Sequence, residues 1–273
     1  MHDVTAIIPT VGRFQEVKEL CMRLKQYNIP SIVVVDGPYI DDFADLLHID
    51  SIARVKFLDE NQGQAIATDV GVALAETEKI MLIDSDDLIS ILDDTCFTQT
   101  LEDMERKEIL FPNSIKLDGG RTIERKNLSE VPIKSLRKNF IGAQSGVIFL
   151  KDDYVALGGQ SKQLESCKDW DLWIRALYNG FSFKTYKADI SYSKTSDGIS
   201  RNLTKVLNGR FQLWRTHNCL FTTLGRPYDW YLLLRYVAFN CAPQFSCNVS
   251  LIYRLFYPIH YFVYTYVKSL LGR

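Results

Sequence analysis

The sequence is poor in the residue patterns from which metal cages and redox motifs are built. Its six cysteines, Cys21, Cys96, Cys167, Cys219, Cys241 and Cys247, include no CxxC pair and stand in ordinary apolar or helical stretches, which fits a reducing compartment. The four histidines, His2, His48, His217 and His260, are dispersed and show no metal-ligand spacing. No glycine-rich basic loop follows the first apolar run. Gly119-Gly120 and Gly158-Gly159 lack the surroundings of a dinucleotide or P-loop fingerprint and read as turns. Residues 1–220 contain no repeat, low-complexity tract or Pro/Gly-rich linker, so they read as one domain. Met1-His2-Asp3-Val4 lacks the basic segment and following apolar run of a secretory leader, and the expected location is cytoplasmic. Excess charge is missing too. A net charge of -1 with 24% charged and 47% hydrophobic residues describes a globular chain and gives no footing for a nucleic-acid partner.

Charge is unevenly spread. Residues 226–273 carry Arg226, Arg235, Arg254, Lys268 and Arg273 against Asp229 alone, and they are crowded with Tyr, Phe, Leu and Trp. A boundary near 220 is expected, with an α/β body at 1–220 and a helical, aromatic-rich extension at 221–273. The uncharged stretch 236–253 has a spanning length but contains Asn240, Pro243, Gln244 and Asn248, which makes it a poor transmembrane helix. Aromatics interleaved with sparse cations over 228–273 suit helices lying in a membrane interface, peripheral at the inner face of the cell membrane. A helical extension packed on the body or in a dimer is the other reading.

What is present in the body is an alternation of short apolar runs and helical periods. Val4 to Pro9 is a β-branched run closed by Pro9-Thr10-Val11-Gly12, and Phe14, Val17, Leu20, Cys21 and Leu24 follow at helical spacing. Ile32 to Val35 ends at Asp36-Gly37-Pro38, Arg54 to Leu58 reads as a strand, Gln64 to Ala75 as a helix, and Lys79 to Ile83 as a strand that ends in acid. Strands apolar throughout are buried on both faces, so the pattern predicts a doubly wound, mostly parallel sheet flanked by helices. Ligands of such sheets bind beyond the carboxyl ends of the strands, where Thr10, Asp36 and Asp84 fall.

Asp84-Ser85-Asp86-Asp87 places three carboxylates within four residues at a strand end. They repel unless a cation neutralises them, and a hard divalent ion such as Mg²⁺ takes one or two carboxylates and completes its shell with water and phosphate oxygens. The competing reading is a solvated acidic turn, or the N-cap of a helix beginning near Leu88.

Five segments, in order, resemble the family 2 glycosyltransferases of the GT-A fold across roughly residues 4–202. They are Thr5-Ala6-Ile7-Ile8-Pro9-Thr10, Val33-Val34-Val35-Asp36-Gly37, Asn61-Gln62-Gly63-Gln64-Ala65, Asp84-Ser85-Asp86-Asp87, and Gly158-Gly159 with Lys168-Asp169-Trp170-Asp171-Leu172-Trp173-Ile174-Arg175. The resemblance implies a GT-A type α/β fold and sugar transfer from a nucleotide-diphosphate donor, with UDP-sugar favoured, to a glycan or lipid-linked glycan, in a bacterial surface-polysaccharide setting. It implies Pro9, Thr10, Asp36, Gln64, Asp84 and Ser85 at the donor, Asp86 as ligand of Mn²⁺ or Mg²⁺, and Asp169 as the base that takes the acceptor hydroxyl proton, with inversion. Asp171 reads as helical and structural, in a helix Asp171 to Asn179 stopped by Gly180; Asp169 could cap that helix.

Three departures stand out. Lys168 occupies the place of the family's Glu and would be expected to lower the Asp169 pKa, leaving Glu165 as a reserve base. Thr68 stands where the family's helix carries an arginine toward the diphosphate. Lys194 and Ser196 replace Arg and His of its closing segment, and Lys194 is assigned to the donor phosphates as a point charge. A sugar-nucleotide nucleotidyltransferase and a silent nucleotide-sugar-binding or scaffold relative are the rival classes.

Overall fold

The structure is a computed structural model of the 273-residue chain, and the description covers residues 2–38, 48–117, 120–125, 139, 141–142, 144–192 and 203–217. The extension expected at 221–273, its membrane-facing stretch 228–273 and Lys194 lie outside the described residues. The chain forms two compact units, Met1–Lys162 with Lys168–Thr195, and Gln163–Cys167 with Ser196–Arg273. Among the described residues no helix is long and apolar enough to cross a membrane.

The first unit runs β1 (Val4–Thr10), α1 (Phe14–Gln26), β2 (Ser31–Asp36), β3 (Arg54–Leu58), α2 (Gln64–Leu74), β4 (Lys79–Leu82), β5 (Leu88–Ile91), α3 (Asp94–Glu102), β6 (Glu108–Leu117), β7 (Thr122–Glu124), β8 (Val147–Leu150), α4 (Lys151–Ala156), α5 (Lys168–Tyr178) and β9 (Ser182–Tyr192). The strands form one sheet in the order β3-β2-β1-β4-β8-β6-β9-β5, with β7 paired to β6. The fold is mixed α/β, as expected. β3, β2, β1 and β4 are parallel, and β8 joins β4 antiparallel. β6 runs parallel to β9 and antiparallel to β8.

Period-two side-chain direction sends the apolar runs to two cores at once. Ala6, Ile8, Val33, Val35, Met81 and Ile83 meet Val17, Leu20, Cys21 and Leu24 of α1 on one face. Ile7, Ile32, Val34, Ile80 and Leu82 meet Ala67 and Val72 of α2 and Leu172, Trp173 and Ala176 of α5 on the other. This two-sided burial is why these strands carry no polar alternation. α2 approaches β1 so closely that a Cβ on Gly71 would lie 2.5 Å from Ile7 Cγ2. Pro9 is buried within β1 opposite Val34, beyond the last β1–β4 pair at Ile7 and Leu82, so its missing N–H costs no bond toward β4.

Two expectations change. Leu88 opens the strand β5, which pairs antiparallel with β9, and not a helix. Its buried Ile89 and Ile91 alternate with half-buried Leu88 and Ser90, a period of two, and α3 starts only after Asp93, whose carboxylate accepts from Cys96 N at 2.9 Å. The acidic cluster is therefore a turn between two strands. α5 begins at Lys168, three residues earlier than expected, which puts Asp169 in its first turn and not before it. Its end is as read. Gly180, at φ 76°, closes a left-handed stop in which Phe181 N donates to Ala176 O at 3.1 Å and Gly180 N to Leu177 O at 3.0 Å.

In the second unit, α6 (Leu203–Thr216) lies close to Ser166, whose hydroxyl donates to Lys205 O at 2.8 Å. Glu165 belongs to this unit.

Candidate active site

The chain leaves β1 toward β2 and β3 and returns to β4 on the other side of β1, so the strand order reverses between β1 and β4. Loops after these strands diverge and leave a crevice at their carboxyl ends. Thr10, Asp36 and Asp84 are brought there. Thr10 is buried and folds its own turn, with Gly12 N donating to its hydroxyl at 3.2 Å and that hydroxyl donating to Gly12 O. The turn carries Arg13, at φ 58°, whose Nη1 stands 2.7 Å from Asp86 Oδ2. Asp36 uses both oxygens to receive backbone amides ahead of α2, from Gln62 at 2.7 Å and Gly63 at 2.8 Å. Those two bonds fix the start of α2, whose first residue Gln64 donates from Nε2 to Asp84 Oδ1 at 2.8 Å.

The Asp84–Asp87 turn is pinned from across the sheet. Ser145, just ahead of β8, accepts from Asp84 N at 3.0 Å and donates to Asp87 Oδ2. Gln144 donates to Asp84 Oδ1 at 2.7 Å and is itself held by Gln160 Nε2. Ser85 is buried within the turn, which closes through Asp87 N and Asp84 O at 3.2 Å. Asp69, next to the Thr68 that stands for the family's arginine, turns elsewhere. It accepts from Tyr154 at 3.2 Å and pairs with Lys162 at 3.1 Å, while Thr68 bonds back to Gln64 O at 2.8 Å.

Asp169 completes the group. Asn139 donates to its Oδ2 at 2.6 Å and is held in place by mutual bonds with Gly142, at 3.0 and 3.1 Å. Burial raises the Asp169 pKa above the usual carboxylate range, opposed by the Trp170 amide, the Asn139 amide and its own backbone N–H. Lys168, expected to lower it, is not among the groups that do so. Asp84 is pushed up to about 6, foremost by burial. The Gln144 amide holds it down, the charges of Asp86 and Asp169 push it up, and Gln64 holds it down in turn. The charges of Asp86 and Asp169 thus both bear on Asp84. Asp171 lies apart, buried, with Arg175 Nε at 2.8 Å.

The family is decided by a match to Glycosyl transferase family 2 over residues 5–151, more than half of the chain. The chain belongs to that family. It is a glycosyltransferase with the GT-A fold, which leaves the nucleotidyltransferase class behind. Its architecture is similar to the crystal structure of residues 1–349 of TarS from S. aureus, at TM-score 0.54 and 16% identity, over 87% of this chain and 79% of that one. The same TarS fragment in complex with UDP aligns at TM-score 0.55 and 14% identity, over 88% and 72%. A longer TarS chain aligns at 0.57 and 15%, over 88% of this chain and 44% of that one. Identities this low speak for the fold alone. Comparison with curated protein sequences gives no match.

A divalent ion is expected in this family, and the donor set suits one in part. The oxygens are carboxylates, the type that hard cations prefer, and Arg13 is a cation that meets Asp86, at 2.7 Å. Among the described residues, however, no three His, Cys, Asp or Glu side chains form a ready cage. Asp86 with a substrate's phosphate oxygens is the arrangement this donor set fits.

Sequence reading missed Arg13, Asn139, Gln144, Ser145 and Gln160. The available signal was the small-residue segment 142–146 directly ahead of the apolar run Val147 to Leu150, a loop ending on a strand beside β4.

Proposed function

We propose that this glycosyltransferase moves a sugar from a nucleotide-diphosphate donor, most favourably a UDP-sugar, to a hydroxyl of a glycan or lipid-linked glycan with inversion at the anomeric carbon. The supporting observation is the electrostatic convergence of Asp84, Asp86 and Asp169 at the strand ends. A structural relative crystallised with UDP supports the uridine choice.

In this reading Pro9, Thr10 and Asp36 border the nucleoside, Gln64, Asp84 and Ser85 the ribose and pyrophosphate, and Lys194 the diphosphate. Asp86 would hold Mn²⁺ or Mg²⁺, which would supply neutralisation of the departing diphosphate. Asp169 takes the acceptor hydroxyl proton as the acceptor oxygen bonds to the anomeric carbon and the bond from that carbon to the diphosphate oxygen breaks. Its raised pKa suits the task, because a more basic carboxylate removes a proton more readily while ionised. Asn139 holds the carboxylate in one orientation. The basic, aromatic stretch 228–273 brings the enzyme to the inner surface of a membrane, where a lipid-linked acceptor of bacterial surface polysaccharide is made.

The test is nucleoside diphosphate release from a panel of nucleotide sugars with Mn²⁺ or Mg²⁺, in the native chain and in Asp86→Ala and Asp169→Asn. Loss of release in Asp86→Ala is expected. Asp169→Asn should slow transfer by about 10²- to 10⁴-fold with donor affinity unchanged. Full turnover in Asp169→Asn would remove it as the base.

A further inference from the structure

Arg125 follows β7 and is 8% exposed, a depth at which cations are rare without a carboxylate partner. It has none. Its Nη1 donates to Ile141 O at 2.9 Å, its guanidinium carbon stands 5.5 Å from the centre of the Phe111 ring, and its Nε and Nη2 donate to nothing among the described residues. Its backbone is fixed as well, through Arg125 N to Asn113 O at 2.7 Å. Burial lowers its pKa to about 10, so it stays charged at neutral pH.

The two idle donors are not scattered. Nε–H and Nη2–H are the parallel pair on one edge of the guanidinium, the edge that receives a carboxylate or phosphate in bidentate fashion. The third nitrogen, anchored on Ile141, sets the direction of that edge. An unpaired buried guanidinium is costly, and that cost is recovered when an oxyanion enters.

Its place in the fold says which substrate would bring the anion. Ile141 lies two residues from Asn139, and Asn139 holds the Asp169 carboxylate at 2.6 Å. One short segment therefore orients both the proposed base and Arg125. The base meets the acceptor, and the donor diphosphate belongs at Asp84 and Asp86. We propose that the acceptor carries an oxyanion, a phosphodiester or a sugar carboxylate, and that the Arg125 Nε/Nη2 edge binds it and so positions the attacking hydroxyl at Asp169. This rests on the glycosyltransferase reading above.

The experiment titrates the full chain, saturated with UDP and Mn²⁺, with methyl phosphate and separately with a methyl glucuronoside, by calorimetry. The native chain should bind at least one probe, the phosphate if the acceptor is a phosphodiester and the glucuronoside if it is a uronic acid. Arg125→Met should weaken that binding by roughly ten- to a hundredfold and leave UDP affinity unchanged. Arg125→Lys, which keeps the charge but not the paired edge, should fall between. A native chain that binds neither probe overturns the proposal, as does an Arg125→Met protein that binds like the native one. If the Met variant fails to fold, Lys binding equal to native overturns the bidentate edge. Failure of the native chain to bind UDP would instead remove the donor reading, so the two failures are distinct.

Discussion

Replacing Asp84 with Asn removes a buried negative charge on which the charges of Asp86 and Asp169 bear, while keeping the shape and an oxygen to accept from Gln64 and Gln144. The native Asp84 pKa stands at about 6 against 3.8 for a free aspartate. A group whose folded pKa lies above its unfolded one binds protons more readily in the native state, so it destabilises the fold once the pH forces it to ionise. Its contribution is most favourable below about pH 4 and is lost as the pH rises toward 6. At about 1.4 kcal/mol per pKa unit the shift corresponds to a ceiling of about 3 kcal/mol. Urea unfolding of both proteins at constant ionic strength from pH 4 to 7, with chelator present, measures the difference directly. Asp84→Asn should gain on the native chain by up to about 3 kcal/mol over that range, and Asp169, whose pKa is raised in the same direction, should leave part of the slope behind. A difference that stays constant with pH, or that grows in favour of the native chain, would refute the electrostatic account of the site. The same variant should bind the donor less well, since the removed charge faces the site where a cation is expected.

Other perturbations test other joints of the argument. Asn139→Ala removes an amide that lowers the Asp169 pKa, so the acidic limb of the transfer rate should move to higher pH; an unmoved limb would detach Asn139 from the base. Gly71→Ala forces a methyl against Ile7 and should cost about 1–3 kcal/mol, read as a lowered urea midpoint with unchanged slope, whereas an unchanged midpoint would show that α2 can shift off β1. Arg175→Ala removes the guanidinium at buried Asp171 and strips the donors that hold Leu157 O and Gly159 O, with an expected loss of about 3 kcal/mol in the same measurement; a loss near zero would show that these contacts add nothing to stability.

Much of this protein follows from local sequence. Val4 to Thr10, Ile32 to Val35 and Lys79 to Leu82 are apolar without alternation because both sheet faces are covered, and that alone implies parallel strands under helices with a site at their carboxyl ends. The residues proposed for the site at those ends, Thr10, Asp36, Asp84 and Asp86, stand out because they follow such runs, and Asp169 because it sits in a dense aromatic and acidic block. The helix expected at Leu88 was misread because four residues of LISI fit either period until an edge strand supplies a partner, here β9. Asn139, Gln144, Ser145 and Arg125 could not be read at all. Gln144 reaches Asp84 across 60 residues and Asn139 reaches Asp169 across 30, from segments with no period of their own, so their roles exist only once β8 is laid beside β4 and the segment from 139 to 142 meets the start of α5. Sequence by itself determined the family, the parallel strands β1 to β4 and the carboxylates at their ends, since each depends on neighbours along the chain. Tertiary structure decided which amides hold those carboxylates, how burial raises their pKa values and which buried guanidinium has no carboxylate among the described residues, because hydrogen-bond partners and solvent exclusion depend on segments distant in sequence.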